Sequence, residues 1–106
     1  MKKKNRICKN AEFKKIIHKH QIQKSNVFVI YTDKNKLGYT RVGISVSSKL
    51  GNAVTRNRIK RQIRALVHDL VNLDNNIDIV IIAKEDFKKN SYHSNCDSLK
   101  QLLEKL

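Results

Sequence analysis

From Lys49 to Arg64 the chain carries six basic residues, Lys49, Arg56, Arg58, Lys60, Arg61 and Arg64, and no acid. The same region has helical periodicity. At about 100° per residue, Ile59, Ile63, Leu66, Val67 and Leu70 fall on one arc. Arg56, Asn57, Lys60, Arg61, Arg64 and His68 fall on the arc beside it. Asn52 is placed as N-cap, because its side-chain oxygen can accept from a free N–H of the first turn. Such a helix must bury one face and offer the other to something anionic. A face that charge merely keeps soluble mixes signs, with acids four residues before bases. This stretch has no such pairs, and Arg56 and Arg58 sit near the positive end of the helix dipole, at roughly a few tenths of a kcal/mol each. The countercharge must come from a partner.

The rest of the composition agrees. Net charge is +14 over 106 residues, the footprint of a nucleic-acid binder. Residues 1–68 hold 18 Lys/Arg and two acids, whereas residues 69–106 hold five and seven. One part of the chain meets polyanion, and the other mostly builds the fold. A hydrophobic fraction of 40% supports one folded domain over residues 1–106. No apolar run approaches the roughly 18–20 residues that span a bilayer, and Met1-Lys2-Lys3-Lys4 has no apolar segment after it, as a signal peptide would. The aliphatic arc of residues 59–70 also lacks the aromatics common on membrane-surface helices. A cytoplasmic protein with no membrane partner is expected. Cys8 and Cys96 are expected as two free thiols.

Along the chain, residues 1–9 read as a flexible basic arm with Lys2, Lys3, Lys4, Arg6 and Lys9. Asn10 is expected to cap a short helix from about Ala11 to His20, with Phe13, Ile16 and Ile17 on its apolar side and Lys14, Lys15 and Lys19 around it. Residues 26–32 form a β-branched and aromatic strand, with Val27, Val29 and Tyr31 opposed to Phe28 and Ile30. Residues 39–47 alternate. Val42, Ile44 and Val46 face a core, while Tyr39, Arg41, Gly43, Ser45 and Ser47 face away. That second set is either plain solvent-exposed surface or an open floor for a single strand of nucleic acid. After a turn at Asp74-Asn75-Asn76, residues 77–83 are almost continuously apolar, as suits a strand buried on both faces. Leu99, Leu102, Leu103 and Leu106 form the stripe of a closing helix. The order α-β-β-α-β-α implies one sheet with helices packed on it.

The spacing of Lys49, Ala53-Val54, Arg56-Asn57, Lys60-Arg61 and Arg64 resembles the RNR motif of the bacterial ribonuclease P protein subunit. The preceding residues 41–49 resemble that family's strand into the motif. So do Lys4-Asn5-Arg6-Ile7 followed by Glu12-Phe13, and the strand Phe28-Val29-Ile30-Tyr31. The resemblance runs from about Lys3 to Ala83 and implies an α+β fold. That fold is a two-layer α/β sandwich with three helices and four strands, the extra short strand near Gln21–Lys24. It is ribosomal-protein-S5-domain-2-like, with a left-handed βαβ crossover around the basic helix, against the usual hand. The resemblance further implies two RNA surfaces. Lys49, Asn52, Arg56, Asn57, Arg58, Lys60, Arg61 and Arg64 would dock the catalytic ribonuclease P RNA, where planar guanidinium groups suit phosphate. Arg6, Phe13, Ile17, Tyr31, Arg41, Ser45, Ser47 and Lys49 would hold the 5′ leader of precursor tRNA, with aromatic rings against unpaired bases. Many family members have a second Phe where this chain has Ile17, leaving apolar contact in place of stacking. Phe13 is open to two roles, core or leader contact.

His18, His20, His68 and His93 are the only acid–base candidates near neutral pH, and none sits in a recognisable pairing. Nor is there a cluster of acids suited to two metal ions. No catalytic residue and no protein-bound metal or other cofactor is therefore expected, and Mg²⁺ belongs to the RNA-containing holoenzyme. The expected function is removal of the 5′ leader from precursor tRNA, with the chemistry on the RNA and no obligate protein partner. Two rivals make different demands. A structural or ribosome-associated RNA-binding protein would show no preference for a 5′ leader, and a free-standing nuclease would cleave without RNA and lose activity on His replacement.

Overall fold

β4 (Ile77–Ala83) is apolar at every position but Asp78, and the sheet is built around it. In the computed structural model, which describes residues 3–7, 9–18, 21–72 and 74–105, it lies between two neighbours. β2 (Phe28–Lys34) pairs with it antiparallel, and β3 (Arg41–Val46) pairs with it parallel. β1 (Gln21–Lys24) adds to the far side of β2, giving the order β1-β2-β4-β3. The short strand implied near Gln21–Lys24 is present. Antiparallel neighbours need only a tight link, and between β1 and β2 Ser25 Oγ accepts from the N–H groups of Val27 and Phe28 at 3.2 and 3.1 Å. Parallel neighbours need a long crossover, which here is α2 (Ala53–Leu70).

The period-two alternation sorts the sheet into two faces. Phe28, Ile30, Val42, Val46, Ile79, Ile81 and Ala83 meet Ile59, Ile63 and Val67 of α2. Leu99, Leu102 and Leu103 of α3 (Tyr92–Glu104) close the same core. Phe87, from a short 3₁₀ turn after β4, sets its ring edge-on to Phe28 at 5.8 Å. On the opposite face, Val80 with half-buried Tyr31 and Ile82 packs against Ile7, Phe13 and Ile16. Those last two belong to α1 (Asn10–Ile17). The expected α+β class, with three helices and four strands, is what the chain forms.

Two local expectations change, and a third segment gains contacts. Asn10 is the first helical residue and not the cap; Lys9 precedes it in extended backbone and makes no side-chain capping bond. α1 ends at Ile17, while Lys19 and His20, expected within it, lie outside the described residues, as do Lys2, Cys8 and Leu106. Within the basic arm expected over residues 1–9, Lys3 to Ile7 contact β3, a pairing that no local pattern announces. The reason lies in two residues among the lysines. Buried Asn5 donates its amide to the Thr40 carbonyl at 2.7 Å, and buried Ile7 donates its backbone N–H to Val42 O at 2.9 Å. This pairing covers part of the otherwise open edge of β3, whose backbone groups would lack partners.

Asp78 is a carboxylate in a buried strand, and it is held there by Arg41 of the adjacent position on β3. Arg41 donates Nε and Nη2 to the two oxygens of Asp78 at 3.0 and 2.7 Å, and its Nη1 to Glu12 of α1. Asn35 adds a further bond to Asp78 at 2.7 Å. One guanidinium thus joins β3, β4 and α1. Burial pushes the Asp78 carboxyl up, but the bonds from Arg41 and Asn35, with the nearby Arg41 charge, outweigh it and hold the group below its usual range. A depressed folded-state pKa contributes stability that is present above the unfolded value of about 3.9 and is lost as pH falls through the folded one. Asp78→Asn should therefore cost about 2–3 kcal/mol at pH 7, less than a fully buried pair because Arg41 is partly exposed. Urea unfolding as a function of pH checks this: the gap between wild type and variant should close below about pH 4. A gap that stays constant down to pH 2 would refute the ion-pair account.

Candidate nucleic-acid interface

α2 starts where the sequence places it. Asn52 Oδ1 accepts from Thr55 N at 3.0 Å, and Gly51 turns the chain into the helix at a φ of 138°, where a side chain would be strained. Ile59, Ile63 and Val67 are buried and Leu66 packs against them, whereas Leu70 in the last turn is largely exposed. Among the described residues no carboxylate pairs with Arg56, Arg58, Lys60, Arg61 or Arg64.

These cations separate into ridges. Arg56, Lys60 and Arg64, each four residues apart, line a cleft of about 560 Å³ together with Phe13 and Ile17 of α1 and Ser45 of β3. A four-residue step rises about 6 Å along the helix, of the same order as the distance between successive phosphates on an extended strand. Arg6, Asn10 and Lys14 complete the opposite wall, and Ile82 contributes to the floor. The Arg56 Nε is buried with no acceptor. A buried donor without a partner costs on the order of 1–3 kcal/mol, which an anionic oxygen in the cleft would recover. The walls are cationic, the floor is apolar or small, and among the described residues no acid lines the cleft.

The matching family model is that of Ribonuclease P, over residues 1–106. The ribonuclease P protein component of Mesoplasma florum is 49% identical over 105 residues, covering 97% of this chain and 96% of that protein. That of Bacillus mycoides is 48% identical over 94 residues, covering 87% and 82%. The solved ribonuclease P protein of Staphylococcus aureus superposes with a TM-score of 0.83 at 42% identity, over 94% of this chain and 93% of that one. The Thermotoga maritima protein gives 0.80 at 27% identity, over 95% and 96%. The chain belongs to the ribonuclease P protein family. Proteins of this family act with ribonuclease P RNA as subunits of an endoribonuclease.

The remaining family-implied positions fall into several places. Asn57, Arg58 and Arg61 are exposed on α2, away from the residues lining the cleft, and Asn52 is occupied as the cap. Ser47 and Lys49 line an adjoining depression of about 400 Å³ that shares Ile82 with the cleft, and Lys49 Nζ lies 3.6 Å from Glu85 with both groups exposed. Tyr31 is half-buried in the packing beneath α1, and Arg41 is engaged by Asp78 and Glu12; neither lines the cleft. Phe13 packs on the small core and also lines the cleft. The cleft is also lined by Asn10, Lys14 and Ile82, which sequence reasoning assigned to no site. It brings Arg56, Lys60 and Arg64 of the expected RNA-subunit set together with Arg6, Phe13, Ile17 and Ser45 of the expected leader set. The i, i+4, i+8 spacing of Arg56, Lys60 and Arg64 was the signal that one ridge of α2 faces elsewhere than Arg58 and Arg61.

Among the described residues no three His, Cys, Asp or Glu side chains gather in a metal-binding group, and no helix is long and apolar enough to cross a membrane. Glu12 and Asp78, the acids nearest α1, are already committed to Arg41. These two carboxylates are therefore not free to hold a Mg²⁺ between them. His93 stands 3.4 Å from Asp97 on the exposed side of α3, and His18 and His68 are exposed. Cys96 is a free thiol.

Gly43 makes the cleft's shape possible. A Cβ there would stand 2.7 Å from Phe13 Cζ and 3.2 Å from Ile7 Cβ, so α1 and the seated N-terminal segment approach β3 this closely only because the side chain is missing. Gly43→Ala should displace the Phe13 ring, which is the movable partner, at about 1–2 kcal/mol of stability. Chemical shifts of the Phe13 ring and urea unfolding would measure this. An unshifted ring with unchanged stability would show that the contact is not tight.

Proposed function

We propose that the protein holds the 5′ leader of precursor tRNA in the α1–β3–α2 cleft while the outward ridge of α2 docks on ribonuclease P RNA. Arg56, Lys60 and Arg64 run along the leader's phosphates. Phe13, Ile17, Ser45 and Ile82 meet the bases, and Ser47 and Lys49 extend the path toward the adjoining depression. Asn57, Arg58 and Arg61 face the RNA subunit. The observation that carries this reading is the unpaired cationic ridge over an apolar floor, with the Arg56 Nε buried and lacking an acceptor. An extended single strand supplies what the cleft lacks: one charge per step on one side, and flat apolar surface on the other.

Hydrolysis then belongs to the RNA, with the divalent ion held there. The protein's part is differential binding: it favours precursor over mature product, because only the precursor carries a leader. It also screens charge where two polyanions meet, in the cytoplasm where precursor tRNA is made. A structural RNA-binding role without leader preference would leave the cleft without purpose.

Arg56→Ala and Arg64→Ala, measured in the reconstituted holoenzyme at fixed salt, should narrow the affinity difference between precursor and mature tRNA. The salt dependence of precursor binding should flatten by about 0.7 per lost contact in the log–log slope. Arg58→Ala with Arg61→Ala should instead weaken assembly with ribonuclease P RNA and leave that difference in place. If both pairs of variants lose both functions to the same extent, the division of α2 into two ridges is wrong.

A further inference from the structure

A second pocket, on the other flank of α2, has a chemistry that the leader cleft does not explain. It lies between α2 and α3, has a volume of about 400 Å³, and is lined by Arg58, Lys88, Tyr92 and Asn95 above an apolar base formed by Ile59 and Phe87. That volume is within the range of small-ligand sites, roughly 300–1,000 Å³. Asn95 is 2% exposed, and its Nδ2 donates to the Phe87 carbonyl at 2.9 Å. A carbonyl only accepts, so this bond fixes which end of the amide is nitrogen. The other end, Oδ1, is buried with no hydrogen-bond partner. A buried amide oxygen left in that state is costly, and it asks for an N–H donor. Tyr92 is half exposed at the same pocket and offers a ring face. Arg58 and Lys88, both exposed at the rim, take part in none of the protein's ion pairs among the described residues. A donor-seeking wall, an aromatic side and a cationic rim match the three parts of a nucleotide: base edge, base face and phosphate.

We propose that this pocket takes one unpaired nucleotide of the RNA that docks on α2. A base N–H pairs with Asn95 Oδ1, the ring lies against Tyr92, and the phosphate faces Arg58 and Lys88. This rests on the reading that the outward ridge of α2 binds ribonuclease P RNA, since Arg58 belongs to both surfaces. An RNA helix laid along that ridge would have one extruded nucleotide within reach of the pocket, giving the docking a fixed register that phosphate contacts alone do not provide.

The test has two arms on the full chain. In the first, cytidine 5′-monophosphate is titrated against the protein while the Asn95 side-chain amide and the Tyr92 ring are followed by NMR, with ribose 5-phosphate as the control that lacks a base. Saturable shifts at both residues with the nucleotide only, reduced at least about fivefold in apparent affinity by Tyr92→Ser, are expected. In the second arm, the variant carrying Tyr92→Ser and Lys88→Gln, two exposed positions, should bind ribonuclease P RNA about tenfold more weakly, equivalent to about 1.4 kcal/mol. Its preference for precursor over mature tRNA should be unchanged. Equal shifts with nucleotide and ribose phosphate, no shift at Asn95, or full RNA affinity in the double variant would each overturn the pocket assignment. Failure of the wild-type protein to bind ribonuclease P RNA would overturn the underlying reading of α2, and is read separately from the nucleotide titration.

Discussion

The parallel pairing of β3 with β4 is the constraint from which the functional surface follows. Two parallel neighbours cannot be joined by a hairpin, so the chain must leave the sheet, cross over and return. α2 is that crossover, and its 18 residues span about 27 Å. Because β3 is the edge strand, the helix that follows it packs beside an open margin of the sheet. Its cationic flank therefore borders a gap that α1 and the seated Lys3–Ile7 segment close from the other side.

The charge on α2 is affordable only because the helix is anchored elsewhere. Ile59, Ile63 and Val67 are each 6% exposed or less. Full burial of such side chains contributes about 1.5–3 kcal/mol each, an upper estimate because the unfolded chain already buries some surface. Like charges four apart cost about 0.2–0.5 kcal/mol per pair, and two early arginines against the dipole about as much again. Packing wins by a clear margin. The helix thus needs no acidic partners, and its cations stay available for phosphate.

Much of this was legible in the sequence. The 3.6-residue period identified α2 and its buried side at Ile59, Ile63 and Val67, and residue type identified the cap at Asn52. Period two identified the parity of β3 and of β2 from Phe28 onward, whereas Val27, just before β2, packs in the same core as Phe28 and Ile30 against its expected parity. The apolar run of residues 77–83 announced a central strand. Where reading failed, a local rule competed with tertiary pairing. Asn10 is a good capping residue by type, but the chain enters the helix one residue earlier. The basic N-terminus looks mobile by charge, yet Asn5 and Ile7 find partners in β3 that no local pattern encodes. β1, with Gln21, Ile22, Gln23 and Lys24, lacks the alternation of a buried strand and came from the family resemblance. The unsatisfied Asn95 oxygen could not be read at all, because satisfaction is a property of three-dimensional neighbours.

Pairing also distinguishes arginines that look alike in sequence. Arg41 is grouped with the leader-binding residues by the family resemblance, and it sits on the outward parity of β3. That parity is shared by Asp78 on the neighbouring strand, and a carboxylate in so apolar a strand requires a cation close by. Arg41 answers that requirement and, through Glu12, holds α1 against the sheet. Its charge is compensated before any RNA arrives. Among the described residues the arginines of α2 have no such acid paired with them, so their charge is left for a partner to compensate. Arg41 sets the position of one cleft wall, and Arg56, Lys60 and Arg64 supply the other with charge. An acid placed within reach of that second wall would satisfy it internally and leave the fold intact with nothing to offer a phosphate.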